Sequence, residues 1–219
     1  MESYDWALDA YRDGAVFTAF DIETTGLDPQ KDQIVELGAV KFDNRGPISR
    51  FNVLINPGIP MPEAAGRVNH ITDEMLAGQP SLEAVFPDFL RLVKDTVIIA
   101  HNAPFDCGFV NQKLKDSHEQ AKRSGAFAAA DSARNGQGSL LDGIDGPERG
   151  AGPWVPPFPA LPNKIADTLV LSRRVFPGRN SYKLQDMAAF LQIQALSAHR
   201  AEDDARLCME IFIGCAKKV

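Results

Sequence analysis

With 219 residues and 44% apolar content, the chain is long enough for one α/β domain with a real core, and it holds no 18-residue apolar run that would span a membrane. Its net charge of −6 argues against a protein that grips long duplex DNA through many phosphates, because such proteins are basic. That charge still permits contact with one nucleic-acid end through bound metal ions.

The N-terminus, MESYDWALDA, is acidic and lacks the basic-then-apolar pattern of a signal peptide. The three cysteines, Cys107, Cys208 and Cys215, are an odd number without ligand-like spacing. They read as buried free thiols in a reducing compartment, so a cytoplasmic location is expected. Residues 16–23 form a predicted strand, apolar on both faces as far as Asp21 and therefore central in its sheet. TTGLDPQKD, with Gly26 and Pro29, is a turn-rich loop. Residues 34–42 and 51–55 predict two further strands around a turn at Asn44, Arg45 and Gly46, and such short connections favour antiparallel pairing.

Ser81 is the predicted N-cap of a helix whose apolar stripe is Leu82, Val85, Phe86, Phe89, Leu90 and Val93. Pro87 predicts a kink or a late start there. Residues 97–100 read as a short buried strand, and Asn102 as the cap of a helix starting beside Pro104. Periodicity then dissolves. Residues 117–162 hold seven Gly, six Pro and eight Ala and predict, for the most part, a mobile insertion. Its last stretch, WVPPFPALP, reads either as a stiff tether or as an extended segment that binds a partner. Order is expected to resume at Ile165, with a helix over 167–175 stopped by Pro177 and Gly178. Ser181 is expected to cap a helix with Leu184, Met187, Ala188 and Leu191 inward, and a last helix begins near Ala201. With no internal repeat, residues 1–219 are read as one domain carrying an insertion at 117–162.

Four carboxylates and one histidine stand out. Asp21 and Glu23 are two apart on a strand, so both side chains leave the same face. Adjacent anions at the end of an apolar strand repel and resist burial, and a cation relieves both costs; a solvated strand end is the plainer alternative. Asp106 lies in the first turn of a helix, where a carboxylate also simply complements the helix dipole. Asp204 shares a helix face with Leu207, Cys208, Ile211 and Cys215 and so points inward, while Asp203, beside Glu210 and Gly214, is expected to face solvent. No basic residue on that face pairs with Asp204; a metal shared with Asp21 and Glu23 would. His199, just before this helix, is either a surface histidine or an acceptor for the proton of an attacking water. An all-oxygen set suits Mg²⁺ or Mn²⁺, and two such ions roughly 3.5–4 Å apart stabilise an in-line displacement at phosphorus.

DIETTGL, HNAPFD and the set His199, Ala201, Asp204 and Ala205, in this order, resemble the motifs of the DEDDh 3′–5′ exonucleases, relatives of the proofreading epsilon subunit of bacterial DNA polymerase III. The resemblance covers residues 17–116 and 165–215 and includes QIVELGAV, HITDEM and DTLVLSRRVFPGRN. It implies an RNase H-like fold, a five-stranded mixed sheet flanked by helices. It also implies two Mg²⁺ or Mn²⁺ ions on Asp21, Glu23, Asp106 and Asp204, with His199 as general base. Thr24, Thr25, Gly26 and Leu27 resemble the residues that hold the terminal nucleotide and its 3′-OH, and Asn102 and Phe105 the wall near the penultimate one. The implied reaction releases nucleoside 5′-monophosphates from nucleic-acid 3′ ends, in proofreading or repair.

The chain departs from the family in three ways. The insertion is long and is a place for contact with nucleic acid, a polymerase or another protein. Asn69 stands where many members carry His, with an expected effect on local packing only. No tail follows the last motif helix, which favours a free-standing enzyme, or one attached by the insertion, over a replisome subunit. An RNA exonuclease of the RNase T or oligoribonuclease type is the same-chemistry alternative, because discrimination of the 2′-OH rests on few contacts. A non-catalytic binding module is a further alternative, opposed by the intact five-residue set. Arg173, Arg174, Arg179 and Lys183 form a basic patch that either follows a phosphate backbone or is a solvated face. Calcium binding is excluded by the absence of EF-hand spacing.

Overall fold

The computed structural model describes residues 4–124, 156–196 and 199–219. Five strands form one sheet: β1 (Phe17–Thr24), β2 (Ile34–Asp43), β3 (Gly46–Leu54), β4 (Val97–Ala100) and β5 (Ile165–Asp167). Their spatial order is β3-β2-β1-β4-β5, with β1–β2 and β2–β3 antiparallel and β1–β4 and β4–β5 parallel. This is the expected mixed sheet of an RNase H-like fold, with β1 at its centre.

The helices are α1 (Asp5–Arg12), α2 (Glu63–Asn69), α3 (Asp73–Leu76), α4 (Leu82–Val93), α5 (Ala103–Arg123), α6 (Thr168–Val175), α7 (Leu184–Phe190) and α8 (Ala201–Lys218). Alternation along the strands divides them between two faces. Phe20 and Ile22 of β1 and Leu37 and Ala39 of β2 pack with Val85, Phe86 and Phe89 of α4 and Phe109, Val110 and Leu114 of α5. Phe17 and Ala19 of β1 and Val40 and Phe42 of β2 face the other way, onto Leu8 of α1, Met187 of α7 and Cys208, Ile211 and Phe212 of α8. Period two then sends Asp21 and Glu23 toward α8 as well. All three cysteines are buried free thiols, as expected.

Several expected boundaries move. β3 starts at Gly46, where Asp43 pairs with Gly46 across a two-residue turn, so the hairpin closes five residues before the predicted start at 51. Pro47 is tolerated because β3 is an edge strand. α4 begins at Leu82 and runs through Pro87 without a late start. The carbonyl that Pro87 leaves without a donor belongs to Glu83, which is exposed and reaches water. Ser81 and Asn102 occupy N-cap positions, but neither side chain makes a capping hydrogen bond. The residue before α7 is Lys183, not Ser181; Ser181 instead bonds Asp186 through its hydroxyl. The short helices α2 and α3 each bury a single residue, too few to show a helical stripe, whereas α1, also unanticipated, packs Ala7, Leu8 and Tyr11 on one face.

Ordered structure enters the predicted insertion from both ends. α5 continues to Arg123, and Ala121 within that extension is buried. Residues 156–162 return along the same helix: His118 bonds the Pro156 carbonyl, Asn111 accepts from the Leu161 amide, and Phe158 and Leu161 join the core. That part of the Pro-rich stretch behaves as a packed tether. Residues 125–155, including Trp154, lie outside the described residues. Among the described residues no helix is long and apolar enough to cross a membrane.

Candidate active site

The site lies where β1 ends beneath the N-terminus of α8. Asp21 faces Gly38 across the β1–β2 ladder and Glu23 faces Glu36, and a register shift between Glu23 and Thr24 ends the regular pairing. A Cβ on Gly38 would lie 2.1 Å from the Ala201 carbonyl carbon and 2.2 Å from the Glu202 amide nitrogen, so the start of α8 rests directly on β2. That close approach delivers Asp204. Asp21, Glu23 and Asp204 each present a carboxylate oxygen within 4.8 Å of the other two.

Their electrostatics call for a positive counter-charge. Burial, then the neighbouring carboxylates Asp106 and Asp204, push the Asp21 carboxyl well above the usual range. Burial and Asp204 push Glu23 up to about 7, and burial pushes Asp204 up to about 6. Asp106, buried at the start of α5, accepts a hydrogen bond from the Ile22 amide at 3.2 Å, yet burial still raises it to about 8. Asp106 stands outside the mutual 4.8 Å set but acts on Asp21 from the other side. Three hard oxygen donors crowded together and unwilling to ionise fit a divalent metal site.

His199 is exposed, in a left-handed turn with φ 59, immediately before α8. Its backbone amide lies near enough to the Asp204 carboxylate to favour that group's charged form. The next residue fixes this turn. The Arg200 guanidinium bonds both oxygens of the fully buried Glu36, with its shortest contact at 2.8 Å, and the Ala201 amide adds a bond to the same carboxylate at 3.3 Å.

The other anticipated site residues surround this cluster. Thr24 and Thr25 are buried, and their hydroxyls serve the loop itself: Thr24 donates to the Gly26 carbonyl, and Thr25 accepts from the Gln33 amide and donates to Asp32. A Cβ on Gly26 would collide with the Asp32 carboxylate. Leu27 projects into solvent at 84% exposure. Asn102 is exposed at φ 72, its amide held by Asp167, while Phe105 packs on Phe109.

Two expectations need correction. Asp203 is buried rather than solvent-facing, because Arg206 one turn on and the Leu196 amide both bond its carboxylate. Asn69 does more than pack: it donates to the Thr24 carbonyl at 3.3 Å and sits near enough to Glu23 to favour its charged form. The basic patch is largely engaged, with Arg173 near the Tyr182 ring, Arg174 paired with Asp5, and Arg179 3.5 Å above Phe190.

Residues 18–134 and 155–212 match the family model described as an exonuclease. The chain belongs to the exonuclease family. It is 38% identical to the DNA polymerase III subunit epsilon of Treponema pallidum, over 95% of this chain and 80% of that protein. It is 32% identical to the PolC-type DNA polymerase III of Caldanaerobacter subterraneus over 93% of this chain, but spans only 12% of that larger protein. Among solved structures, exonuclease X in complex with 5′-overhanging duplex DNA superposes with a TM-score of 0.61 at 20% identity, covering 92% of this chain and 91% of that one. That likeness establishes the shared fold.

Three residues around the site stand outside the predicted set, Glu36, Asp167 and Gln185, and a fourth, Asn69, was expected to affect packing only. The first two left a signal, since a Glu in an otherwise apolar strand and an Asp at the end of a short buried one both demand partners. Gln185 left none, as a neutral amide in a short helix carries no periodic mark.

Proposed function

We propose that this exonuclease removes nucleotides one at a time from DNA 3′ ends, in proofreading or repair, using Asp21, Glu23, Asp204 and Asp106 to hold two Mg²⁺ or Mn²⁺ ions. The observation that carries the reading is the convergence of three carboxylates within 4.8 Å with raised proton affinities, on a chain related to epsilon subunits. When bound, the divalent ions supply Lewis acidity toward the scissile phosphate and the positive charge that lets the carboxylates ionise together.

The chain's own groups do the rest. His199, exposed beside the cluster, is the group that accepts a proton from the attacking water. The water oxygen bonds to phosphorus, the bond from phosphorus to O3′ breaks, and the leaving oxygen takes up a proton as the nucleoside monophosphate departs. The exposed Leu27 packs against the terminal base, and Gly26 lets the loop lie flat on Asp32 beneath it. Asn102 and Phe105 border the next nucleotide. We read residues 1–219 as one domain, a reading supported by family matches on both sides of the insertion, and take it to act in the cytoplasm, as suits relatives that are DNA polymerase III subunits. Attachment to a polymerase, through the insertion or otherwise, fits relatives that are polymerase subunits or polymerases.

The deciding experiment digests 5′-labelled single-stranded DNA, 3′-mismatched duplex and a short RNA with Mg²⁺, Mn²⁺ or EDTA, beside an Asp21→Ala variant. A metal-dependent 3′ ladder, fastest on DNA and absent in the variant, is expected. A ladder that persists in folded Asp21→Ala sinks the assignment of the site.

A further inference from the structure

Two side-chain amides touch the carboxylate cluster. Asn69, 2% exposed at the end of α2, has its orientation set by its partners: Oδ1 accepts from the Ile71 amide at 3.1 Å, so Nδ2 must point to the Thr24 carbonyl, which can only accept. Nδ2 carries two hydrogens, and Asn69 lies close enough to Glu23 to favour the charged form of that carboxylate. On the opposite side, Gln185 in the first turn of α7 donates from Nε2 to Asp204 Oδ1 at 2.8 Å. Two of the three clustered carboxylates thus each have an uncharged donor beside them, and Gln185 bonds Asp204 directly.

The nearby cation is kept elsewhere. Arg200 directs its guanidinium to Glu36. A Lys or Arg in place of either amide would also orient a carboxylate, but its charge would satisfy that carboxylate and compete with a divalent ion. An amide fixes the direction of the oxygens and leaves their charge available. Partners that orient metal ligands are a general requirement of such sites.

We propose that Asn69 and Gln185 are positioning residues that aim the Glu23 and Asp204 carboxylates at a divalent metal through uncharged hydrogen bonds. This rests on the metal-site reading above. Asn69 reaches the cluster from the strand side and Gln185 from the helix side, so the pair fixes the two ligands that come from different elements.

The test measures Mn²⁺ binding to the full chain without nucleic acid, by titration calorimetry and the loss of the free-ion paramagnetic signal. Wild type, Asp21→Ala, Gln185→Leu, Asn69→Leu and Asn69→His are compared at one pH, with metal-free melting recorded for each. Gln185→Leu and Asn69→Leu are expected to bind Mn²⁺ roughly 10–100-fold more weakly, the usual cost of removing a ligand's partner. Asn69→His, which keeps an N–H donor, is expected to stay close to wild type. A purely structural role would lower the melting temperature and leave the Mn²⁺ affinity of the folded protein unchanged. Should Asn69→Leu fail to fold, the half-buried Gln185 decides through Gln185→Leu. Unchanged affinity in that variant, beside wild-type binding that Asp21→Ala abolishes, overturns the inference and leaves the metal site standing. Absence of Mn²⁺ binding by the wild type overturns both.

Discussion

Gly38 and Ala201 touch backbone to backbone: a single methyl on Gly38 would lie 2.1 Å from the Ala201 carbonyl carbon. Gly38 is also the ladder partner of Asp21. The contact therefore sets how closely the helix bearing Asp204 approaches the strand bearing Asp21. It explains a glycine in the middle of a strand, where it otherwise weakens pairing.

Gly38→Ala is expected to lift the start of α8 off the sheet. Overpacking of this kind costs about 1–3 kcal/mol, so the melting temperature should fall. Mn²⁺ uptake should suffer more than stability, because Asp204 moves with the helix. Calorimetry and metal titration on the same sample check this. A variant with wild-type metal affinity would mean that the approach of α8 is not what places Asp204.

The raised carboxyls make metal-free stability depend on pH in a defined direction. A carboxyl with a raised folded-state pKa holds its proton more tightly folded than unfolded. Its stabilising contribution is complete below the ordinary carboxylate range and is lost as pH rises through about 6 for Asp204, about 7 for Glu23 and about 8 for Asp106. In EDTA the melting temperature should therefore decline from mildly acidic to mildly alkaline pH. Added Mg²⁺ or Mn²⁺ should oppose the decline, most at the alkaline end. Asp21→Ala, which removes one repelling carboxylate, should melt higher than wild type in EDTA and respond least to metal. A pH-independent metal-free melting curve would contradict the crowding of these groups.

Much of this site could be read from residue order because its parts obey local rules. Period two put Asp21 and Glu23 on one face of β1, and the helical stripe put Asp204 inward with Leu207, Cys208 and Ile211. Asp203 escaped the same rule, since its partners Arg206 and the Leu196 amide bury a residue that the stripe places outside. The extension of α5 past Asp116 was hidden because its packing partners, Pro156 to Leu161, arrive from more than thirty residues away along the chain. Glu36 and Arg200 meet across 164 residues, a pairing that no local pattern encodes.

That ion pair anchors the turn that carries His199. Glu36 is fully buried, while the Arg200 side chain is 35% exposed. Arg200→Ala leaves a buried carboxylate without its cation, and removing one partner of a buried pair costs about 3–5 kcal/mol. The exposure of Arg200 places the expected loss at the lower end. At roughly 2–4 °C per kcal/mol for a chain of this size, thermal melting should drop clearly. The double variant Glu36→Gln with Arg200→Leu should recover most of the loss, because no uncompensated charge remains. A double variant no more stable than Arg200→Ala would show that the anchor is not electrostatic.

His199 has an exposed ring on a backbone whose φ of 59 suits glycine, so His199→Gly removes the imidazole without strain. Its backbone amide, which favours the charged form of the Asp204 carboxylate, is retained. Melting temperature and Mn²⁺ affinity should therefore remain close to wild type. The single-turnover rate should fall about 10²–10⁴-fold, the usual contribution of a general base. Free imidazole added to the assay should restore part of that rate by filling the space the ring has left. An unchanged rate would assign the proton transfer to another group. A rate lost together with Mn²⁺ affinity would instead mean that the turn holds Asp204 in place and that its ring takes no proton.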